Sequence, residues 1–91
     1  MAYILGVFDT SDFDTWKQFF DSDPVERTKS GKGHRVFQSV DDPNRAFISV
    51  EFASADEAKS FRERLLASGA LDRVTVAIEP TVTELVDETR Y

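Results

Sequence analysis

Three features of the 91-residue sequence predict an α+β fold with a ferredoxin-like, split βαβ topology. Short apolar runs bounded by turn-forming residues are typical of strands, and two amphipathic segments with start signals are typical of helices. These elements follow in the order β-α-β-β-α-β. That order favours a four-stranded antiparallel sheet with two helices on one face. We expect residues 1–91 to form a single domain.

The first half of the chain predicts a strand, a helix and a loop. Residues 2–8 are apolar apart from one glycine and precede turn formers, so we expect a buried strand. Residues 11–14, Ser-Asp-Phe-Asp, match a helix start signal, and the helix that follows has Phe13, Trp16 and Phe20 on one face. Residues 26–33 lack periodicity and contain two glycines, which predicts a mobile loop.

A hairpin is expected next, with strands at 34–40 and 46–52. Pro43 and Asn44 suit the turn between them. If the loop comprises residues 41–44, Phe37 lies beside Ile48, and His34 lies on the same face as Glu51.

The second helix has a clear start and stop. Ser54 and Glu57 form a capping box, and Gly69 suits the C-terminal end. Residues 70–79 favour either a strand or a short helix. Pro80 is expected to end that segment, and residues 81–86 to form the last strand.

Composition excludes several classes of function. The formal net charge of −6 argues against a generic nucleic-acid-binding protein. The absence of cysteine excludes disulfides, thiolate chemistry and cysteine-based zinc sites, and it fits a cytoplasmic protein. No apolar run is long enough to cross a membrane, and the N-terminal residues do not resemble a signal peptide.

The apolar residues outnumber what two helices can cover. The first strand carries large apolar side chains on both faces, and the third places Phe47 on the face away from the helices. Each large side chain left in water forfeits about 1.5–3 kcal/mol. We therefore predict a homodimer that packs the open sheet faces of two subunits together. A different partner protein on this face is the alternative.

Two segments, His34–Asn44 and Val50–Ala58, together with the element order, resemble the dimeric α+β barrel superfamily. Within it the chain is similar to small bacterial proteins related to the antibiotic biosynthesis monooxygenases, some of them labelled cyclases. The resemblance implies a barrel of two subunits and a hydrophobic pocket between each sheet and its helices. Phe52 stands where many monooxygenase relatives carry Trp, and Ser60 and Phe61 where many carry His. These departures argue against oxygenase and haem-dependent chemistry, so we expect no cofactor.

Two hypotheses of function follow. In the first, the protein is a cofactor-independent enzyme acting on a small hydrophobic or aromatic metabolite, with His34 as acid/base and Glu51 orienting it. The expected ligand contacts are Trp16, Phe20, Phe37, Gln38 and Phe47. In the second, the protein is a dimeric binding protein without catalysis, His34 is a strand-edge residue and the aromatic residues are core.

Other clusters carry weaker signals. Arg27, Lys29, Lys32 and Arg35 form a basic patch that either steers an anionic substrate or is simply a solvated loop. One histidine and no cysteine predict no transition-metal site, and the paired aspartates suit helix starts and turns.

Overall fold

A four-stranded antiparallel sheet forms one layer of the structure and helices form the other. The computed structural model describes residues 1–91. The strands are β1 (Ala2–Asp9), β2 (Gly33–Gln38), β3 (Arg45–Phe52) and β4 (Thr75–Glu84). The helices are α1 (Phe13–Asp21), α2 (Arg27–Ser30) and α3 (Ala55–Ser68), followed by a 3-10 helix, Ala70–Arg73. The sheet order β2-β3-β1-β4 confirms the predicted ferredoxin-like topology.

The core lies between the sheet and the helices. Alternate residues of β3 face this core and are buried, namely Ala46, Ile48, Val50 and Phe52. Phe52 is fully buried and packs on Phe61 of α3, with ring centroids 5.5 Å apart. The opposite sheet face has no helix over it, because all the helices pack on the first.

The caps explain where the two long helices begin and end. The Ser54 hydroxyl accepts a hydrogen bond from the Glu57 backbone N–H, and Gly69 ends α3 with a φ of 78°, as predicted. For α1 the cap is Asp12 rather than Ser11, and its carboxylate accepts from the backbone N–H of Thr15.

The prediction of a mobile loop at 26–33 is wrong over Arg27–Ser30, which forms α2. Asp23, with a φ of 56°, turns its carboxylate toward the start of this helix. Its two oxygens accept from the backbone N–H groups of Arg27 at 2.7 Å and Thr28 at 3.2 Å. The capping side chain belongs to a residue before the helix, so the periodicity of residues 26–33 does not indicate that a helix begins there.

The predicted hairpin register is wrong by one residue. His34 pairs with Val50, Val36 with Ile48, and Phe37 with Phe47. The connection is longer than expected, because β2 ends at Gln38 and the next backbone hydrogen bond joins Ser39 N–H to the Arg45 carbonyl at 3.0 Å. A shift of one residue moves each β2 side chain to the other sheet face.

The last strand is longer than predicted and passes through a proline. After the 3-10 helix, β4 runs from Thr75 to Glu84 with Pro80 inside it. The pairing with β1 shifts between Leu5 and Val7, opposite this stretch. An edge strand with a bulge tolerates proline because no ladder hydrogen bond is lost there. Pro80 therefore does not end the element.

Candidate functional site

A small cavity lies between the helical layer and the sheet. Its volume is about 80 Å³. The sheet side is formed by Ile4, Gly6, Ile48 and Val50, and the helical side includes Trp16, Phe20, Phe61 and Leu65. A drug-sized ligand needs about 300 Å³ or more, so this space suits a short acyl group or a single ring.

Aromatic side chains form one wall and continue to the edge of the sheet. The Trp16 ring lies 5.7 Å from Phe13 and 5.2 Å from Phe20, measured between centroids. Phe20 in turn meets the His34 ring edge-on at 5.0 Å. The structure therefore brings the predicted residues Trp16 and Phe20 to the cavity, and His34 to its outer side through Phe20.

The structure does not bring the predicted catalytic pair together. His34 and Val50 are directly opposed, so the imidazole is on the helix-covered face. Glu51 follows Val50 and is on the open face, where it accepts a hydrogen bond from the Tyr3 hydroxyl at 2.8 Å. The expected orientation of His34 by Glu51 is wrong, because it depended on the incorrect hairpin register.

The surroundings of His34 favour the neutral imidazole. Partial burial lowers the pKa of His34, and the positive charges of Arg27 and Lys17 lower it further. The carboxylates of Asp21 and Asp23 offset only part of this effect. These groups together hold the pKa of His34 below its usual value of 6.5.

Arg27 and Asp23 are the charged groups that line the cavity. Arg27 is only 8% exposed, and its guanidinium lies 3.8 Å from the centroid of the Phe20 ring. Burial lowers the pKa of Arg27, and the nearby Asp21 and Asp23 carboxylates counter this. Burial raises the pKa of Asp23, but hydrogen bonds from Thr28 and Arg27, with the Arg27 charge, bring it below its usual value.

Arg27 is a candidate ligand contact whose burial the sequence did not predict. The sequence places it in a basic patch that either steers an anionic substrate or is a solvated loop, and Lys29, two positions later, is well exposed. A signal was present in Asp23, four residues earlier, since an Asp that caps a helix fixes the following turn. That turn directs Arg27 inward.

The remaining predicted ligand contacts lie elsewhere. Phe37 and Phe47 form a cross-strand pair on the open face and are 54% and 40% exposed. Gln38 donates from Nε2 to the Pro43 carbonyl at 2.8 Å and thereby holds the hairpin turn. None of the three lines the cavity.

The open face carries its own apolar surface. Cross-strand pairing places Phe37, Phe47, Val7 and Ile78 in one line across all four strands, and we call these residues the open-face row. Leu5, in the same strand as Val7, is 43% exposed beside it, and Ile78 is 56% exposed. Val7 itself is only 8% exposed, so the apolar area that this row presents to solvent comes from Phe37, Phe47 and Ile78.

The structure contains no group of three or more His, Asp or Glu side chains arranged to hold a metal ion. None of its helices is long and apolar enough to span a lipid bilayer.

The sheet, the helical layer and the cavity between them define a ferredoxin-like α+β domain, and solved structures share this fold. A "putative antibiotic biosynthesis monooxygenase" from Deinococcus radiodurans matches 100% of this chain and 98% of its own, with a TM-score of 0.73 and 13% identity. A protein of the same description from Nitrosomonas europaea matches 98% and 94%, with a TM-score of 0.67 and 15% identity.

A third solved structure, a dimeric ferredoxin-like protein from an uncultured marine organism, matches 100% of both chains, with a TM-score of 0.60 and 15% identity. No protein-family model and no curated protein matches the sequence. At these identities the likeness establishes the fold alone.

Proposed function

We propose that the protein is a homodimeric binding protein that holds a small hydrophobic or aromatic metabolite between its sheet and its helices. The observation that carries the proposal is the apolar cavity of about 80 Å³ against Trp16 and Phe20. An apolar pocket with a few polar groups at its wall is typical of small-molecule sites.

Binding without catalysis fits the site better than the enzymatic hypothesis. An acid/base mechanism needs a polar pair that can reach the substrate, and His34 lies across the sheet from Glu51. His34 also packs edge-on to Phe20, which stands between the imidazole and the cavity wall. The role of His34 in proton transfer stays a prediction, without a carboxylate to orient the ring.

Trp16 allows a direct test of binding, because it is the single tryptophan and lines the cavity. We expect toluene to change the tryptophan emission in a saturable way, since a ring in the cavity replaces the medium beside the indole. Toluene that leaves the emission unchanged up to its solubility limit would remove the proposed site.

The dimer is supported by the open-face row. Phe47 lies in the middle of this row and is 40% exposed. Covering that fraction of a phenylalanine removes roughly 60–100 Å² from water and contributes about 1.5–2.5 kcal/mol. In a symmetric dimer the residue occurs twice, so the contribution is about 3–5 kcal/mol. The dimeric ferredoxin-like neighbour also supports this assembly.

Substitution of Phe47 tests the assembly. Phe47→Asp is expected to raise the dimer dissociation constant at least about a hundredfold, as measured by sedimentation equilibrium. The matched control is Leu66→Asp, because Leu66 is 56% exposed but lies on α3 in the helical layer. Equal effects of the two substitutions would contradict an interface at the open face.

A further inference from the structure

We propose that the cavity selects a small carboxylate with an apolar tail, and that the Arg27 guanidinium holds the carboxylate. This inference rests on the proposed binding function and names the class of its ligand. It is carried by a charged group in an apolar wall: Arg27 lines the cavity, is only 8% exposed, and has just one guanidinium N–H donor with an acceptor in the protein. Buried polar groups are nearly always hydrogen-bonded, so an unpaired charged donor calls for an explanation.

Few of the hydrogen-bond donors of this guanidinium have an acceptor within the protein. Of its five N–H donors, the only one with a hydrogen bond is on Nη1, which donates to the Phe20 carbonyl at 3.2 Å. The nearest carboxylate oxygen is Asp23 Oδ1, at 3.8 Å from Nη1, which is too far for a hydrogen bond. Asp23 therefore balances part of the charge without pairing with the guanidinium's remaining donors.

The Asp23 carboxylate already accepts hydrogen bonds at the start of α2. Its Oδ1 accepts from the Arg27 backbone N–H at 2.7 Å, and its Oδ2 accepts from the Thr28 hydroxyl at 2.6 Å. Turning this carboxylate toward Nε would break the cap of α2. A ligand oxygen in the cavity can instead accept from the guanidinium without that cost.

The side chains around Arg27 determine which group the ligand can have beside its carboxylate. The guanidinium stacks on the Phe20 ring, and the cavity beyond it is bounded by Trp16, Phe61 and Leu65. An apolar group fits there, and a volume of about 80 Å³ limits it to a few carbon atoms. A charge-assisted hydrogen bond to a carboxylate is about twice as strong as one to a neutral amide. The site therefore discriminates by charge as well as by shape.

Isovalerate and its neutral counterpart isovaleramide test this inference, because they share one branched tail and differ in the head group. In the wild-type protein we expect isovalerate to bind about tenfold more tightly, as followed by Trp16 emission. We also expect it to shift the Arg27 Nε–H resonance in ¹⁵N-labelled protein, and isovaleramide to shift it less. The resonance requires no substitution, so the test does not depend on the stability of a variant.

Two variants separate the buried guanidinium from general positive charge. Arg27→Gln is expected to bind the two probes equally, while Lys29→Gln, which removes an exposed charge from the same helix, keeps the tenfold preference. Equal binding of both probes to the wild-type protein would overturn the carboxylate assignment and leave the cavity as an apolar site. If toluene and both probes all fail to bind, the proposed binding function is wrong as well as the carboxylate assignment.

Discussion

Filling the cavity should make the protein more stable and unable to bind. Ala70 begins the 3-10 helix and lines the cavity, and Ala70→Leu adds three carbon atoms toward it. The cost of an empty cavity is about 24 cal/mol per Å³, so occupying about 80 Å³ stabilises the fold by up to about 2 kcal/mol. We therefore expect a higher midpoint of urea unfolding, followed by circular dichroism, and loss of the toluene response of Trp16.

The matched control is Ala67→Leu, which makes the same chemical change at an exposed position of α3. It should alter stability by less than about 0.5 kcal/mol and leave binding intact. Undiminished toluene binding by Ala70→Leu would refute the assignment of this space as the ligand site. A loss of stability without loss of binding would show that the leucine does not enter the cavity.

Three further predictions concern the fold and its electrostatics. Phe52→Ala, at a fully buried ring, should lower the free energy of unfolding by about 3–5 kcal/mol in urea denaturation, and a loss below 1 kcal/mol would contradict the packing. An NMR titration of His34 should give a pKa below about 6.5, so its contribution to stability is present above that pH and is lost on acidification through the lower pKa. Arg27→Gln should raise this pKa, and a value at or above 6.5 in the wild-type protein would refute the environment described. Gly69→Ala, at a φ of 78°, should cost about 1 kcal/mol in thermal unfolding, whereas Gly33→Ala, where an added Cβ meets open space, should cost less than half of that; equal losses would contradict the helix end.

Much of the fold could be predicted from local chemistry. The alternation in β3 identifies its buried face, and Ser54 with Gly69 fixes both ends of α3, because these signals depend only on neighbouring residues. Their order along the chain then leaves one common topology at this size. Part of the apolar wall of the cavity could also be predicted from local sequence, because the spacing of Trp16 and Phe20 places them on one side of α1.

The features that prediction missed depend on contacts between distant residues. The hairpin loop is tied to residues more than 30 positions away: the Asn44 carbonyl accepts from Thr10, and the Asn44 side chain accepts from the Phe13 N–H at 3.2 Å. These contacts favour a longer loop than the turn residues alone indicate, and the change of one residue separates His34 from Glu51. The passage of β4 through Pro80 likewise depends on the sheet edge, which no local pattern reveals.

The burial of Arg27 was not predicted either, although the contact that accompanies it is local. Its composition and neighbours are those of a basic loop, and its burial results from the capping of α2 by Asp23. The place of Arg27 in the cavity wall therefore depends on how the segment around α2 folds. The sequence alone indicates a basic patch but does not place Arg27 at the cavity wall.

Native mass spectrometry of the purified protein tests the proposed assembly and binding most directly, because it reports the number of subunits and any retained small molecule together. The chain has a mass of 10.3 kDa. We predict a species of two chains that gains the mass of isovalerate when this acid is added, with up to one molecule per chain. A bare single chain under the same conditions would contradict both the dimer formed through the open-face row and the cavity as a binding site.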